Sequence, residues 1–309
     1  APDDLGGANA SRDPLRRLAP RSAAEERQLG RSYVGPKWVD PPYSSPLRLA
    51  AAARLTGFPD VELIEALEEF PRCGGFPLMF SGDRGQTVEV PNSPLSFKHA
   101  AEAHALLQRE FGAGGMLLFE GRPPWEAWRT APYFCIPKKR YGRPRPGKWR
   151  SIHNHSAGAA GVDSLNDGIL PGQKVVLGSV ASFAEKALGV KRANPDEEVG
   201  MFMMDFARAF PNLPLRWCDV ALQGMRWFDP RRPLPSYARV RPPSAAEEKR
   251  DFVYLFPQGF TLGARSSMTW FCRVADLFNY LLHHPDTPVA TPMPPAREFA
   301  SEYYVDDAA

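Results

Sequence analysis

Apolar residues recur with helical spacing from Pro46 onward, first in PLRLAAAARL and then in PDVELIEALEEF, which predicts two successive helices. The second carries a proline near its first turn and acidic residues early, where the helix dipole favours them. SFKHAAEAHALLQREFG predicts a third helix ending at Gly112, and SVASFAEKALG, 179 to 189, a fourth closed by glycine. YFCIPKK (133 to 139) and KWRSIH (148 to 153) read as strands joined by a Pro, Gly and Arg loop, hence a hairpin. EVGMFMMDF (198 to 206) is a continuous apolar run bounded by charge, fitting a buried strand that ends at Asp205. RDFVYLF (250 to 256) predicts a further strand, 264 to 282 a long helix, and EYYV a last strand. The Pro-rich stretches 229 to 245 and 285 to 295 read as surface insertions, and no internal repeat is evident. Residues 1 to 45 are rich in Pro, Gly, Arg, Ser and Ala without a sustained period, and are predicted to be disordered.

At 309 residues and 43% hydrophobic, the chain can hold two ordinary domains or one large one. Its formal net charge is only +3, so an anionic partner has to be held by a local patch. Residues 137 to 150, PKKRYGRPRPGKWR, supply one: Lys138, Lys139, Arg140, Arg143, Arg145, Lys148 and Arg150, with no acid among them. Standing alone, such a stretch is equally a solvated, proline-stiffened charge run. Cys73, Cys135, Cys218 and Cys272 are widely scattered, which argues against a zinc site or disulfide framework and for reduced thiols in an intracellular protein of cytoplasm or nucleus. No apolar run approaches the roughly eighteen residues of a membrane span, and no leader pattern is visible. A start at Ala1-Pro2-Asp3 and an end two residues past an acidic pair suggest an excised piece of a longer polypeptide.

The acidic pair, Asp306 and Asp307, follows the apolar strand EYYV, and Asp205 ends another. Like charges so close repel and resist burial unless a cation neutralises them. Mg²⁺ takes a few carboxylate oxygens, keeps several waters and completes its shell with substrate phosphates, so three aspartates from two strands suit a two-metal phosphoryl-transfer site, with Mn²⁺ as a substitute. An isolated acidic pair is more often a solvated turn; the neighbouring residues change that.

YVDD (304 to 307) resembles the Y-x-D-D signature of reverse transcriptases, and MDFARAF (204 to 210) their first palm motif, an Asp followed five residues later by an aromatic. The chain is most similar to the polymerases of tyrosine-recombinase (DIRS-like) retrotransposons. GKWRSIHNHS resembles their G-K-W-R-x-I-H-x-x-S, and SLNDGI their V-N-D-G-I. DFARAFPNLPLRWCDVALQGMRW resembles their palm segment ending in G-[FM]-x-W, and LGARSSMTWFCRVADLF their F-G-L-R-S-A-P-x-x-F-x-x-V-A-D-x-L. The likeness runs over residues 110 to 307. It departs at Met268, where the family has proline, and at Asn154, where it has aspartate.

The resemblance implies an α/β (α+β) right-hand polymerase fold: an antiparallel palm sheet with helices, a fingers region and no thumb. On that division residues 46 to 197 hold N-terminal helices and fingers, and 198 to 309 an incomplete palm with insertions. It further implies that Asp205 and Asp306 ligate two Mg²⁺ ions, that Asp307 supports the site, and that the Phe206 carbonyl completes one shell. Phe210 takes the steric-gate position beneath the incoming sugar. Arg150, helped by Lys138 or Lys139, contacts the nucleotide's phosphates. A glycine is called for before the long helix. Retroviral P-Q-G places it at Gly259 and the DIRS-like pattern at Gly263, which gives the gap-free match through Phe271, Ala275 and Asp276. Arg265, Ser266 and Tyr304 are then template or primer contacts. Trp149 is expected to pack, and His153 and His155 to be structural polar residues.

The implied activity is RNA-directed DNA polymerisation: RNA or DNA template, DNA primer and dNTPs as partners, no membrane, and a chain inactive or feeble without the segments that follow YVDD. Two alternatives stand beside it. One is a degenerate polymerase domain retained as a nucleic-acid-binding or interaction scaffold. The other is an RNA-dependent RNA polymerase, disfavoured by Val305 before the Asp pair and by Phe210 at the gate.

Overall fold

The computed structural model describes residues 32–34, 46–140, 142–171, 180–196, 198 and 209–283. In chain order its elements are β1 (Ser32–Val34), α1 (Pro46–Leu55), α2 (Val61–Cys73), β2 (Val88–Glu89), α3 (Pro94–Phe97), α4 (Ala100–Gly112), β3 (Met116–Phe119) and β4 (Arg129–Thr130). There follow β5 (Tyr133–Arg140), β6 (Arg143–His153), α5 (Leu165–Gly168), α6 (Val180–Ala193), β7 (Met225–Phe228), α7 (Ala245–Asp251), β8 (Phe252–Pro257) and α8 (Arg265–His283). The architecture is mixed α/β, with several helices packed on small sheets.

The largest sheet has the order β1-β3-β8-β7 and is antiparallel throughout, with Met116 opposite Pro257 and Met225 opposite Leu255. It draws on all three segments into which the sequence divides the chain. Both of its faces are covered. Leu117, Phe119 and Phe256 join one core with α1, α2 and α8, while Met116, Leu118, Met225, Trp227, Val253 and Leu255 join a second with α4 and β5. Burial on both sides explains why MLLF reads as an unbroken apolar run rather than an alternation. Neither β3 nor β7 is marked in the sequence as a strand, because four residues are too few to show a period.

Helix α2 starts where Asp60 accepts the Leu63 N–H at 3.0 Å and stops at Gly74, which takes φ 80°. The same Asp60 carboxylate receives Nε of Arg273 on α8 at 2.7 Å, so one residue caps α2 and ties it to the long helix. The single helix expected over 96 to 112 is two, broken at His99. The break lets Phe97 stack on Trp227 (5.4 Å) while α4 turns Ala103 and Leu107 into the second core.

Other expectations need correction. Within the segment 1 to 45, read as mostly disordered, Ser32–Val34 pairs antiparallel with β3. Helix α6 runs past Gly189 to Ala193. β8 begins at Phe252 rather than Arg250, because Ser244 and Glu247 form a capping box that draws Ala245–Asp251 into a helix. The Pro-rich stretch 229 to 245 is anchored, with Leu234 and Ala238 buried and the Tyr237 hydroxyl donating to Asp251. The strands expected over 198 to 206 (Glu198 apart) and at 302 to 305, and the insertion at 285 to 295, lie outside the described residues.

Candidate functional site

The basic stretch is a real hairpin, closed more tightly than the sequence suggests: Arg140 pairs with Arg143 across the turn, where Gly142 takes φ 75°. Pairing jumps from Lys139↔Pro144 to Pro137↔Trp149, so Arg145 to Lys148 bulge from β6 with Gly147 at φ 65°. Residues opposite one another share a face. Tyr133, Cys135, Trp149, Ser151 and His153 therefore form the inner face. There Trp149 packs on His99 (4.5 Å) and Ser151 donates to Glu110 (2.7 Å). Arg150 pairs with Ile136 and lies, half-buried, on the other face with Phe134 and Ile152. Lys138 sits half-buried at the register shift and Lys139 is exposed. Trp149 thus packs, as expected.

The inner end of β6 meets the turn before α8. The His153 N–H donates to the Leu262 carbonyl at 3.3 Å, and a Cβ on Gly263 would lie 2.1 Å from the His153 carbonyl oxygen. Gly263 adopts φ 123°, open to glycine and strained for any L side chain. Asn166, from SLNDGI, bridges the same elements: its Nδ2 donates to Gly263 O (2.9 Å) and Ser156 Oγ (2.8 Å), and its Oδ1 accepts the Arg265 N–H (2.9 Å).

Gly259 is held from the other side. Gln223 Nε2 donates to its carbonyl at 2.6 Å, and a Cβ there would lie 2.2 Å from the Pro211 carbonyl oxygen. Phe260 N–H donates to Leu213 O (2.9 Å) and Leu215 N–H to Gln258 O (2.8 Å), pairing the segment after Phe210 with the turn. Both glycines are therefore required by close backbone approach, but Gly259 is buried and Gly263 exposed.

His153 and His155 lie buried between these parts, their rings stacked 5.9 Å apart. Thr261 Oγ1 donates to Gln223 Oε1 at 3.2 Å, so His155 Nε2, 2.7 Å from Thr261 Oγ1, must carry the proton of that contact. Burial drives both imidazoles down from 6.5 to about 3, with the neighbouring His155 adding to the effect at His153. They are neutral structural groups, as the sequence suggests. Among the described residues, no group of three or more His, Cys, Asp or Glu side chains is placed to hold a metal ion.

Of the residues singled out in the sequence, the structure brings Gly263 against His153 at the base of the hairpin that carries Arg150, and ties the Arg265 N–H to Asn166. Arg265 is exposed at the first turn of α8, whereas Ser266 is 1% exposed, its hydroxyl enclosed by protein. Phe210 is 8% exposed, its ring edge-on to Phe271 of α8 at 5.5 Å. Asp205, Phe206, Tyr304, Asp306 and Asp307 lie outside the described residues. Sequence reasoning gave no role to Asn166, Gln223 or Thr261. For Asn166 a signal existed, since SLNDGI stands out as a motif; an amide and a hydroxyl inside apolar context carry no such mark.

No family model, curated protein or solved structure matches the chain. Among the described residues, no helix is long and apolar enough to cross a membrane.

Proposed function

We propose that the chain is the fingers and part of the palm of an RNA-directed DNA polymerase of the tyrosine-recombinase retrotransposon kind. One observation carries this reading: stretches that resemble that family's motifs, far apart in sequence, meet around one turn. The end of KWRSIHNHS and the asparagine of SLNDGI hydrogen-bond to each other and to the turn LGARSS, and the segment after Phe210 bonds to Gln258 and Phe260 immediately before that turn. Such convergence is what a shared nucleotide site needs, and chance motif matches have no reason to show it.

The reaction joins a primer 3′-hydroxyl to the α-phosphorus of a dNTP. The new P–O bond forms as the bond to the bridging oxygen breaks, pyrophosphate leaves, and the hydroxyl proton passes to solvent. Arg150 and Lys138 or Lys139 bind the triphosphate and offset its charge from the hairpin. Phe210 limits room at the sugar, and Gly263, exposed and without a side chain, lets the template or nucleotide approach the backbone. The donor set expected for metal, three carboxylates and a carbonyl, is all oxygen and fits Mg²⁺ or Mn²⁺, held by Asp205, Asp306, Asp307 and Phe206 O. When bound, the ions lower the pKa of the attacking hydroxyl and neutralise the leaving oxygens.

Primer extension on poly(rA)/oligo(dT) tests the reading, using this chain and one continued past Ala309. Incorporation of dTTP that requires Mg²⁺ or Mn²⁺ and is abolished by Asp205→Asn is the expected result. Retained nucleic-acid binding with no incorporation in either chain would instead make the domain a scaffold.

A further inference from the structure

We propose that Asn166 is a positioning residue that couples the basic hairpin to the turn before α8, so that closure of the hairpin on a ligand moves Gly263 and Arg265 with it. This rests on the polymerase reading for its ligand but not for its mechanics. Asn166 is 7% exposed, and its amide works on two bodies at once. On the hairpin side, in the turn that immediately follows β6, its backbone N–H donates to His155 O (3.0 Å) and its Nδ2 to Ser156 Oγ (2.8 Å). On the helix side the same Nδ2 donates to Gly263 O and Oδ1 accepts the Arg265 N–H, each at 2.9 Å.

The platform beneath Asn166 is itself fixed. Ser164 and Asp167 form a capping box that sets the turn of α5, and Ser81 N–H and Leu170 N–H tie the far side of that turn to Gly168 O and Met79 O. Asparagine is the shortest side chain that donates and accepts from one planar group. Aspartate keeps the acceptor for Arg265 but sets a carboxylate oxygen against the Gly263 carbonyl, and serine cannot reach both. Because Gly263 is wedged against His153 O with no room for a Cβ, the turn has little freedom to slip past β6. Displacement of β6 therefore reaches Gly263 directly through His153, and reaches the Arg265 N–H, where α8 starts, through the Asn166 amide.

A double-mutant cycle tests the coupling without any ligand. Trp149→Ala loosens the hairpin's inner face, Asn166→Asp cuts the link, and amide hydrogen exchange at Ala264 and Ser267 is the readout. Trp149→Ala alone is expected to speed that exchange about tenfold, and to speed it by clearly less in the Asn166→Asp background, where only the direct His153 contacts remain. Additive effects overturn the proposal. Asn166→Ser serves as the second link-cutting variant if Asn166→Asp does not fold. A second arm titrates dTTP with Mg²⁺ well below the thermal midpoint of each protein: affinity is expected to fall about tenfold in Asn166→Asp. Equal affinity in both proteins overturns the positioning role. If the wild-type chain binds no dTTP, the polymerase reading fails, and the exchange cycle alone decides whether Asn166 couples the two bodies.

Discussion

Arg143 through Lys148 lie exposed along the outer half of β6, whereas the strand's inner end at His153 is buried against Leu262 and Gly263. The outer half offers charge on a bulged, solvated ribbon, where guanidinium and ammonium groups act at a distance and tolerate small changes of position. The inner end offers no net charge: two neutral imidazoles, two carboxamides and a threonine hydroxyl fix where two backbones touch. Attraction of an anion can therefore be separated, by substitution, from the placement of the parts that would meet it.

The sharpest break is at Gly263. Gly263→Ala puts a methyl group 2.1 Å from the His153 carbonyl oxygen at φ 123°, and is expected to destabilise the fold by about 4 kcal/mol in denaturant titration. Gly142→Ala, at φ 75° but with nothing within 4 Å, should lose only about 1 kcal/mol. Similar losses at the two glycines would erase the contrast between hairpin tip and base.

Next comes the tie that orients α8 beneath the turn. Asp60→Ala removes the cap on Leu63 and leaves Arg273, 6% exposed, with the solvent-facing Glu62 as its one ion partner among the described residues. The expected loss is about 3 kcal/mol. A change under 1 kcal/mol would show that the ion pair is dispensable there.

The buried imidazoles give a pH signature confined to the base. Neutral in the folded chain down to about pH 3, they take up protons on unfolding once pH drops below about 6.5. Stability is thus unaffected by them above that value and falls as acid is added. The two together should lower it by about 1 kcal/mol between pH 7 and pH 6. Urea midpoints compared between wild type and His155→Gln check this; an unaltered pH dependence in the variant contradicts it.

The smallest effect on stability belongs to the tip. Arg145→Ala and Lys148→Ala are each expected to change it by less than about 0.5 kcal/mol. For single-stranded nucleic acid, each should lower the slope of log affinity against log salt by about 0.7. An unchanged slope would mean that these side chains do not meet phosphate.

Helices α1, α2 and α8 and the strands of the hairpin were legible because each carries its pattern locally: PLRLAAAARL, the Pro and early acids before LIEALEEF, and the basic loop between apolar strands. The break at His99 was not, since the residues of α3 and α4 keep a helical spacing across it and only the fit of Phe97 on Trp227 separates them. β3 and β7 were missed for lack of length, and the pairing of Ser32–Val34 because three residues acquire a partner only when Leu118 is already in place. In the candidate site, Arg150, Gly263, Arg265 and Ser266 were named from motif resemblance, but their burial was not legible there: Arg265 is exposed and its neighbour Ser266 is enclosed.

The amino-acid order by itself determined where charge accumulates, that α1, α2 and α8 are helices, and that two glycines stand before the last described helix, because these depend on neighbours along the chain. Folding alone decided that Gly263 rests on His153, that Gly259 rests on Pro211, and that one asparagine spans hairpin and helix. The two glycine contacts and the bonds from Asn166 to Gly263 and Arg265 join residues roughly 50 to 110 positions apart, and close approach between distant backbones leaves no local trace except the missing side chain that permits it.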